Sequence, residues 1–248
     1  MNASVSDFLG TGDILIIPLF QDTEKAPNNT TKGLSRSASI TLKSAISSDS
    51  FEGKEGETIS IWTKECQIIL LGMGTNSNLS TKKSRDIGAK CFSNLSGNRG
   101  KDIVIRFTTR WNTENMASFA EGMILRDYAF DKYQKKIDEE KHDREWTIVC
   151  QTTKRHRKKL DLEIKKLSSI ATGVHLARDL GNEPANRLYP EEFARRAEDW
   201  AKEKENVEVE VWDFSRLKEE GMNALIEVGK GSIHKPCMVF FRLNPDLD

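Results

Sequence analysis

Residues 14–20, read Ile-Leu-Ile-Ile-Pro-Leu-Phe, form an unbroken apolar run opened by Gly12 and Asp13. A strand with one wet face alternates apolar and polar side chains. A run without alternation instead suits a strand buried on both faces, as in a parallel sheet covered by helices. The same run is far shorter than the roughly 20 residues a bilayer span requires, as is the second apolar run at residues 68–71. An α/β fold is therefore the first expectation.

The rest of the chain fits that expectation. Strands are predicted at residues 58–62, 67–71, 102–107 and 146–150, with helices over 38–46, 84–92 and 114–133 between them. Strands alternating with helical patterns at this spacing argue for a parallel or mixed sheet. A long helix is predicted from about Leu160 to Leu180, stopped by Gly181-Asn182-Glu183-Pro184. Pro190 opens another helix, followed by a half-buried strand at 207–212, a short helix at 214–220 and a last strand at 237–241. The basic run 154–159, Lys-Arg-His-Arg-Lys-Lys, reads as a charged linker between two lobes, which sets a boundary near residue 155.

Charge narrows the partner classes. Lys plus Arg number 38 and Asp plus Glu 38, so no net charge favours nucleic acid or an anionic membrane. Residues 1–13 lack the basic start and apolar stretch of a secretory leader. Cys66, Cys91, Cys150 and Cys237 are scattered with no CxxC, and reduced thiols in the cytoplasm are expected.

Catalytic motifs are scarce. Gly72-Met73-Gly74 lacks the third glycine of a dinucleotide loop, Ser77 standing in its place, and Gly229-Lys230-Gly231-Ser232 lacks the pattern of a Walker loop. Both read as turns. The four histidines (His142, His156, His175, His234) form no HExxH and have no cysteine at ligand spacing. His156 reads as solvated and His175 as a packed helix residue. No GxSxG elbow is present.

Residues 177–190 (ARDLGNEPANRLYP) nevertheless resemble the LARDL-N-PPN-L-TP segment of leucyl (cytosol) aminopeptidases, and residues 221–232 (GMNALIEVGKGS) resemble their GMGALLAVGQGS segment. Three looser likenesses precede them in the same order: FEGKEGET at 51–58, LLGMG at 70–74 and AEGMILRDYAFDKY at 120–133. The resemblance implies a macrodomain-like amino-terminal domain with a mixed sheet over residues 1–155. It implies a linking helix and the opening of a second, incomplete α/β domain over residues 156–248. It also implies peptide substrates, two divalent metal ions (Mn or Zn), a homohexamer and a cytoplasmic setting.

The family's VGKG-TFD-GG and NTDAEGR motifs do not occur in this sequence. Lys230 stands in the earlier VGQGS-like segment, so it does not correspond to the catalytic lysine. No catalytic, metal or substrate-binding residue carries over, and the chain alone is expected to be inactive and to bind no metal. Asn182, Pro184 and Asn186 read as architectural. The last ~90 residues are expected to carry uncovered apolar surface. The alternative is a non-catalytic module that binds a nucleotide, nucleic acid or a protein partner through its first lobe; neutral charge argues against nucleic acid.

Overall fold

The structure is a computed structural model that describes residues 1–6, 10–22, 29–48, 51–95, 102–107, 111–133 and 146–244. The chain divides into two compact units, Met1–Ala177 and Arg178–Asp248.

The first unit is built on a six-stranded sheet of order β1-β6-β5-β2-β4-β3. Its strands are β1 Asn2–Ser6, β2 Ile14–Leu19, β3 Thr58–Trp62, β4 Gln67–Gly72, β5 Asp102–Arg106 and β6 Thr147–Gln151. All pairings are parallel except β3 on β4, so the sheet is mixed. Every residue of β2 and β4 is buried, as an apolar run without alternation requires.

One face carries α2 (Thr81–Leu95), α3 (Thr113–Arg126) and part of α4 (Lys154–Asn182), joined in a core that includes Ile16, Ile105, Phe119, Met123, Leu160 and Ile164. The other face carries α1 (Arg36–Ser47), whose Leu42 and Ile46 pack with Leu15, Ile17, Leu70 and Phe51. Side-chain oxygens cap two of these helices: Ser35 Oγ accepts from the Ala38 amide, and Asn112 Oδ1 from the Asn115 amide.

The chain leaves β2 toward one side, through α1 and β3 to β4, and returns through α2 to β5 on the other side. The β2–β5 ladder ends at the Ile16–Ile105 pair, whereas β2 and β4 stay paired to Leu19 and Gly72. The sheet therefore opens between the carboxyl ends of β2 and β5, the point where the direction of winding changes.

The second unit contains α5 (Pro190–Lys202), α6 (Phe214–Glu219), α7 (Asn223–Gly229) and an antiparallel pair, β7 (Val207–Trp212) with β8 (Met238–Leu243). Pro190 stands in the first turn of α5 with Glu191 and Glu192 beside it.

Several elements differ from the sequence expectation. The basic run is helical: residues 154–159 form the first turns of α4, because Lys and Arg are good helix formers and an exposed helix face holds their charges in water. Helix α3 stops at Arg126, with Asp127 as its C-cap, rather than at Tyr133. Strand β1 and helix α7 were not expected. β1 is a five-residue edge strand whose alternation rests on only two apolar residues, Ala3 and Val5, and α7 is a short helix with no buried residue. His142 and residues 245–248 lie outside the described residues.

Candidate functional site

The segments picked out by sequence meet in pairs. The Glu57 carboxylate accepts from the amides of Glu52 (3.1 Å) and Lys54 (3.0 Å), closing the 52–57 loop on itself. The loop then clamps the end of β4: the Gly56 amide donates to Gly72 O, Gly72 N to Glu57 O and Gly74 N to Gly53 O, at 2.7–2.9 Å. The glycines at 72 and 74 therefore finish a strand and receive a loop, as the turn reading expects.

The AEG segment has a packing role. The Glu121 carboxylate is buried and pairs with Arg85 Nε of α2 at 2.7 Å. A Cβ on Gly122 would stand 2.0 Å from Arg85 O, and one on Gly88 2.1 Å from Phe119 O. Only glycine at these two places lets the backbones of α2 and α3 approach so closely.

In the second unit the end of the first specific segment meets the residues just after the second. The Tyr189 ring stacks on His234 with centroids 3.9 Å apart. The Lys235 amide donates to Glu191 Oε1 at 3.0 Å, and Cys237 Sγ donates to Pro190 O at 3.2 Å. Arg196 reaches Glu183 at 3.0 Å and Glu192 at 2.8 Å, tying the turn after α4 to α5. Arg195 and Arg196 both donate to Glu192 and hold its carboxyl down to about 2. Asn182 ends α4, and Pro184 O accepts from the amides of Arg187 and Leu188, so the segment turns the chain into the next helix.

Residues 16–137 match the family model described as "Cytosol aminopeptidase family, N-terminal domain", and residues 175–247 match the one described as "Cytosol aminopeptidase family, catalytic domain". The chain belongs to the cytosol aminopeptidase family. A probable cytosol aminopeptidase of Methylobacterium radiotolerans is 30% identical over 239 residues, covering 95% of this chain and 46% of that protein. One from Clostridium perfringens is 29% identical over 246 residues, covering 95% and 48%. The chain thus spans about half the length of the curated relatives it matches. Among solved structures, a tomato leucine aminopeptidase mutant superposes with a TM-score of 0.76 at 19% identity, covering 97% of this chain and 50% of its own. The bottromycin maturation enzyme BotP in complex with Mn gives 0.68 at 18% identity, covering 93% and 45%. These likenesses agree with the α/β expectation.

The family resemblance implies two divalent metal ions. Among the described residues no group of three or more His, Cys, Asp or Glu side chains could hold a metal ion. The described residues therefore do not fit a two-metal centre. His156 is half-buried rather than solvated, and the His175 ring packs on Tyr128 with centroids 5.3 Å apart. Lys230 caps α7 and pairs with Glu227 at 3.2 Å on the surface. Among the described residues no helix is long and apolar enough to cross a membrane.

One polar cluster escaped the sequence reading. Arg106, the last residue of β5, is 1% exposed. It donates to Thr30 O (2.8 Å), Gly10 O (3.1 Å) and Gln151 Oε1 (3.1 Å). Gln151, its partner across the β5–β6 ladder, donates in turn to Gly10 O at 3.0 Å. Burial lowers the guanidinium to about 10, which leaves it charged at neutral pH. The available signal was an arginine closing the otherwise apolar Ile103-Val104-Ile105.

Proposed function

We propose that this chain is the amino-terminal portion of a two-metal leucyl aminopeptidase that removes amino-terminal residues from peptides. The carrying observation is that both domain models of one family match in order along the chain. In this reading residues 1–155 are the macrodomain-like amino-terminal domain. Residues 156–248 are the linking helix and the opening of the catalytic domain.

In the whole enzyme two divalent ions, Mn or Zn, would be held by residues other than the described ones and would supply Lewis-acid chemistry at the scissile carbonyl. This chain's part is architectural. It places the turn at 182–190 and the strand pair β7–β8 on which the catalytic domain continues. The assembled enzyme is a cytoplasmic homohexamer acting on peptides, and the neutral net charge argues against nucleic acid as a partner.

Two assays test this. The purified chain is mixed with a leucine anilide and Mn²⁺ or Zn²⁺, and no turnover is expected from a sample with a folded circular dichroism spectrum. Metal-dependent turnover would place a complete site within these residues and overturn the assignment. The second assay fuses the remaining carboxy-terminal part of the Methylobacterium radiotolerans relative after Asp248. Metal-dependent hydrolysis is expected from the fusion, and a folded but inactive fusion counts against the aminopeptidase reading.

A further inference from the structure

A cavity of about 170 Å³ lies at the carboxyl ends of β5 and β6, and its polar lining includes Asn29, Lys32, Arg106, Gln151, Thr153 and Lys154. Three of these are cations, and among its described lining residues none is acidic. Such one-sided lining concentrates a positive field in a partly water-excluded space.

Arg106 supplies the fixed part of that field. Its hydrogen-bond acceptors are two backbone carbonyls and a neutral amide, and no ion pair involves it among the described residues. Neutral acceptors satisfy its N–H groups but, among the described residues, leave its charge without a counterion, which burial makes costly. A neutral side chain could have donated to the same carbonyls, so the charge itself is what calls for a partner.

Two further features aim at the same volume. Thr153 and Lys154 stand at the amino-terminal end of α4, a 29-residue helix whose positive dipole end lies against the cavity. The cavity also sits beside the opening between β2 and β5, where α/β sheets present ligands beyond the carboxyl ends of their strands. Its size sets the class of ligand. It is well below the ~300–1,000 Å³ of sites that enclose drug-sized ligands, so it suits one small anion rather than a whole nucleotide.

We propose that this cavity binds a phosphate-class oxyanion. Lys32 and Lys154, both exposed at its mouth, are the direct cationic contacts. Thr153 is a neutral donor in the lining, and Arg106 is the buried charge in the wall. A dianion answers this set better than a carboxylate does, since three cations and a helix amino terminus converge on one small volume.

The test is calorimetric titration of the full chain with inorganic phosphate, against chloride at matched ionic strength. Saturable binding at one site per chain is expected. Charge reversal of the two exposed lysines, Lys32→Glu with Lys154→Glu, is expected to weaken binding by roughly tenfold or more. Lys43→Glu, an exposed lysine on α1, leaves binding unchanged and controls for overall charge. Arg106→Gln shifts affinity in the same direction as the lysine pair; should it fail to fold, the lysine pair decides alone.

Methyl phosphate distinguishes the sources. Competition by it assigns the site to phosphoester end groups, and its exclusion assigns it to free phosphate. No saturable binding at millimolar phosphate, or binding that survives the double charge reversal, overturns the proposal. Either result leaves the aminopeptidase reading untouched, because none of these residues enters it.

Discussion

Glu121 of α3 and Arg85 of α2 form an ion pair at 2.7 Å in which the carboxylate side chain is 5% exposed and the guanidinium 41%. The pair sits at the crossing where Gly122 meets Arg85 O and Gly88 meets Phe119 O. Charge and shape therefore fix one helix crossing from the same few residues. The carboxylate needs Arg85 in register, and register is set by the two missing side chains.

Removing Arg85 leaves the buried Glu121 carboxylate without its counterion, and that is where the cost lies. Arg85→Met is expected to lower unfolding stability by about 2 kcal/mol, less than for a fully buried pair because the arginine keeps water contact. Glu121→Gln, which keeps the shape and can still accept a hydrogen bond, costs less. Urea denaturation of the two variants checks the order. A smaller loss for Arg85→Met than for Glu121→Gln would show that the pair matters for packing rather than for charge.

Gly122→Ala forces a Cβ into the Arg85 carbonyl, so α2 and α3 must separate. A loss on the order of 3 kcal/mol is expected, the upper range for overpacking. Gly173 on α4 has nothing within 4 Å of its hypothetical Cβ. Gly173→Ala is expected to be neutral or to stabilise by about 0.5–1 kcal/mol through helix propensity. Thermal melts of the two variants against the parent give the comparison directly.

Which parts of this were legible in the sequence follows from the kind of signal each carries. The buried strand β2 announced itself because burial on both faces removes polar residues from the sequence. α5 did so because Pro190 and two acids mark a helix start. The basic run showed its charge but not its helical state, which is decided by the turns that follow. The family segments were visible as patterns, but their physical work was not. Glu57 capping its own loop and Glu183 reaching Arg196 depend on backbone that closes only in three dimensions. Arg106 was the largest omission, because a lone arginine at a strand end looks like solvated surface until Thr30 and Gly10 fold over it.

Burial pushes the thiols of Cys91 and Cys150 up to about 12. An unfolded thiol ionises near pH 8.5. Between about pH 9 and 12 the unfolded chain therefore releases protons that the folded chain retains, and stability falls as pH rises. Each thiol contributes a slope of up to about 1.4 kcal/mol per pH unit in that window and nothing below it. The folded protein at pH 8 is expected to react with a thiol reagent at half-exposed Cys237 before the three buried cysteines. Denaturation curves at a series of alkaline pH values for the parent and for Cys91→Ala check the slope. Equal slopes for the two would remove Cys91 from the account.

The second unit exposes large apolar side chains close together in sequence and fold. Phe241 and Leu243 on β8 are 51% and 69% exposed, and Phe241 meets the Trp200 ring of α5 edge-on at 6.2 Å. An apolar edge of this kind on a two-stranded sheet needs a cover. Under the proposed function that cover is the remainder of the catalytic domain. The native chain is accordingly expected to bind an apolar dye such as ANS and to self-associate as its concentration rises. Phe241→Thr with Leu243→Thr installs β-branched residues that suit a strand while removing apolar area, so both signals should drop without loss of the circular dichroism spectrum. The fusion to the relative's carboxy-terminal part should suppress them by covering the same surface. Dye binding that persists in the fusion would mean that this face is not where the catalytic domain continues.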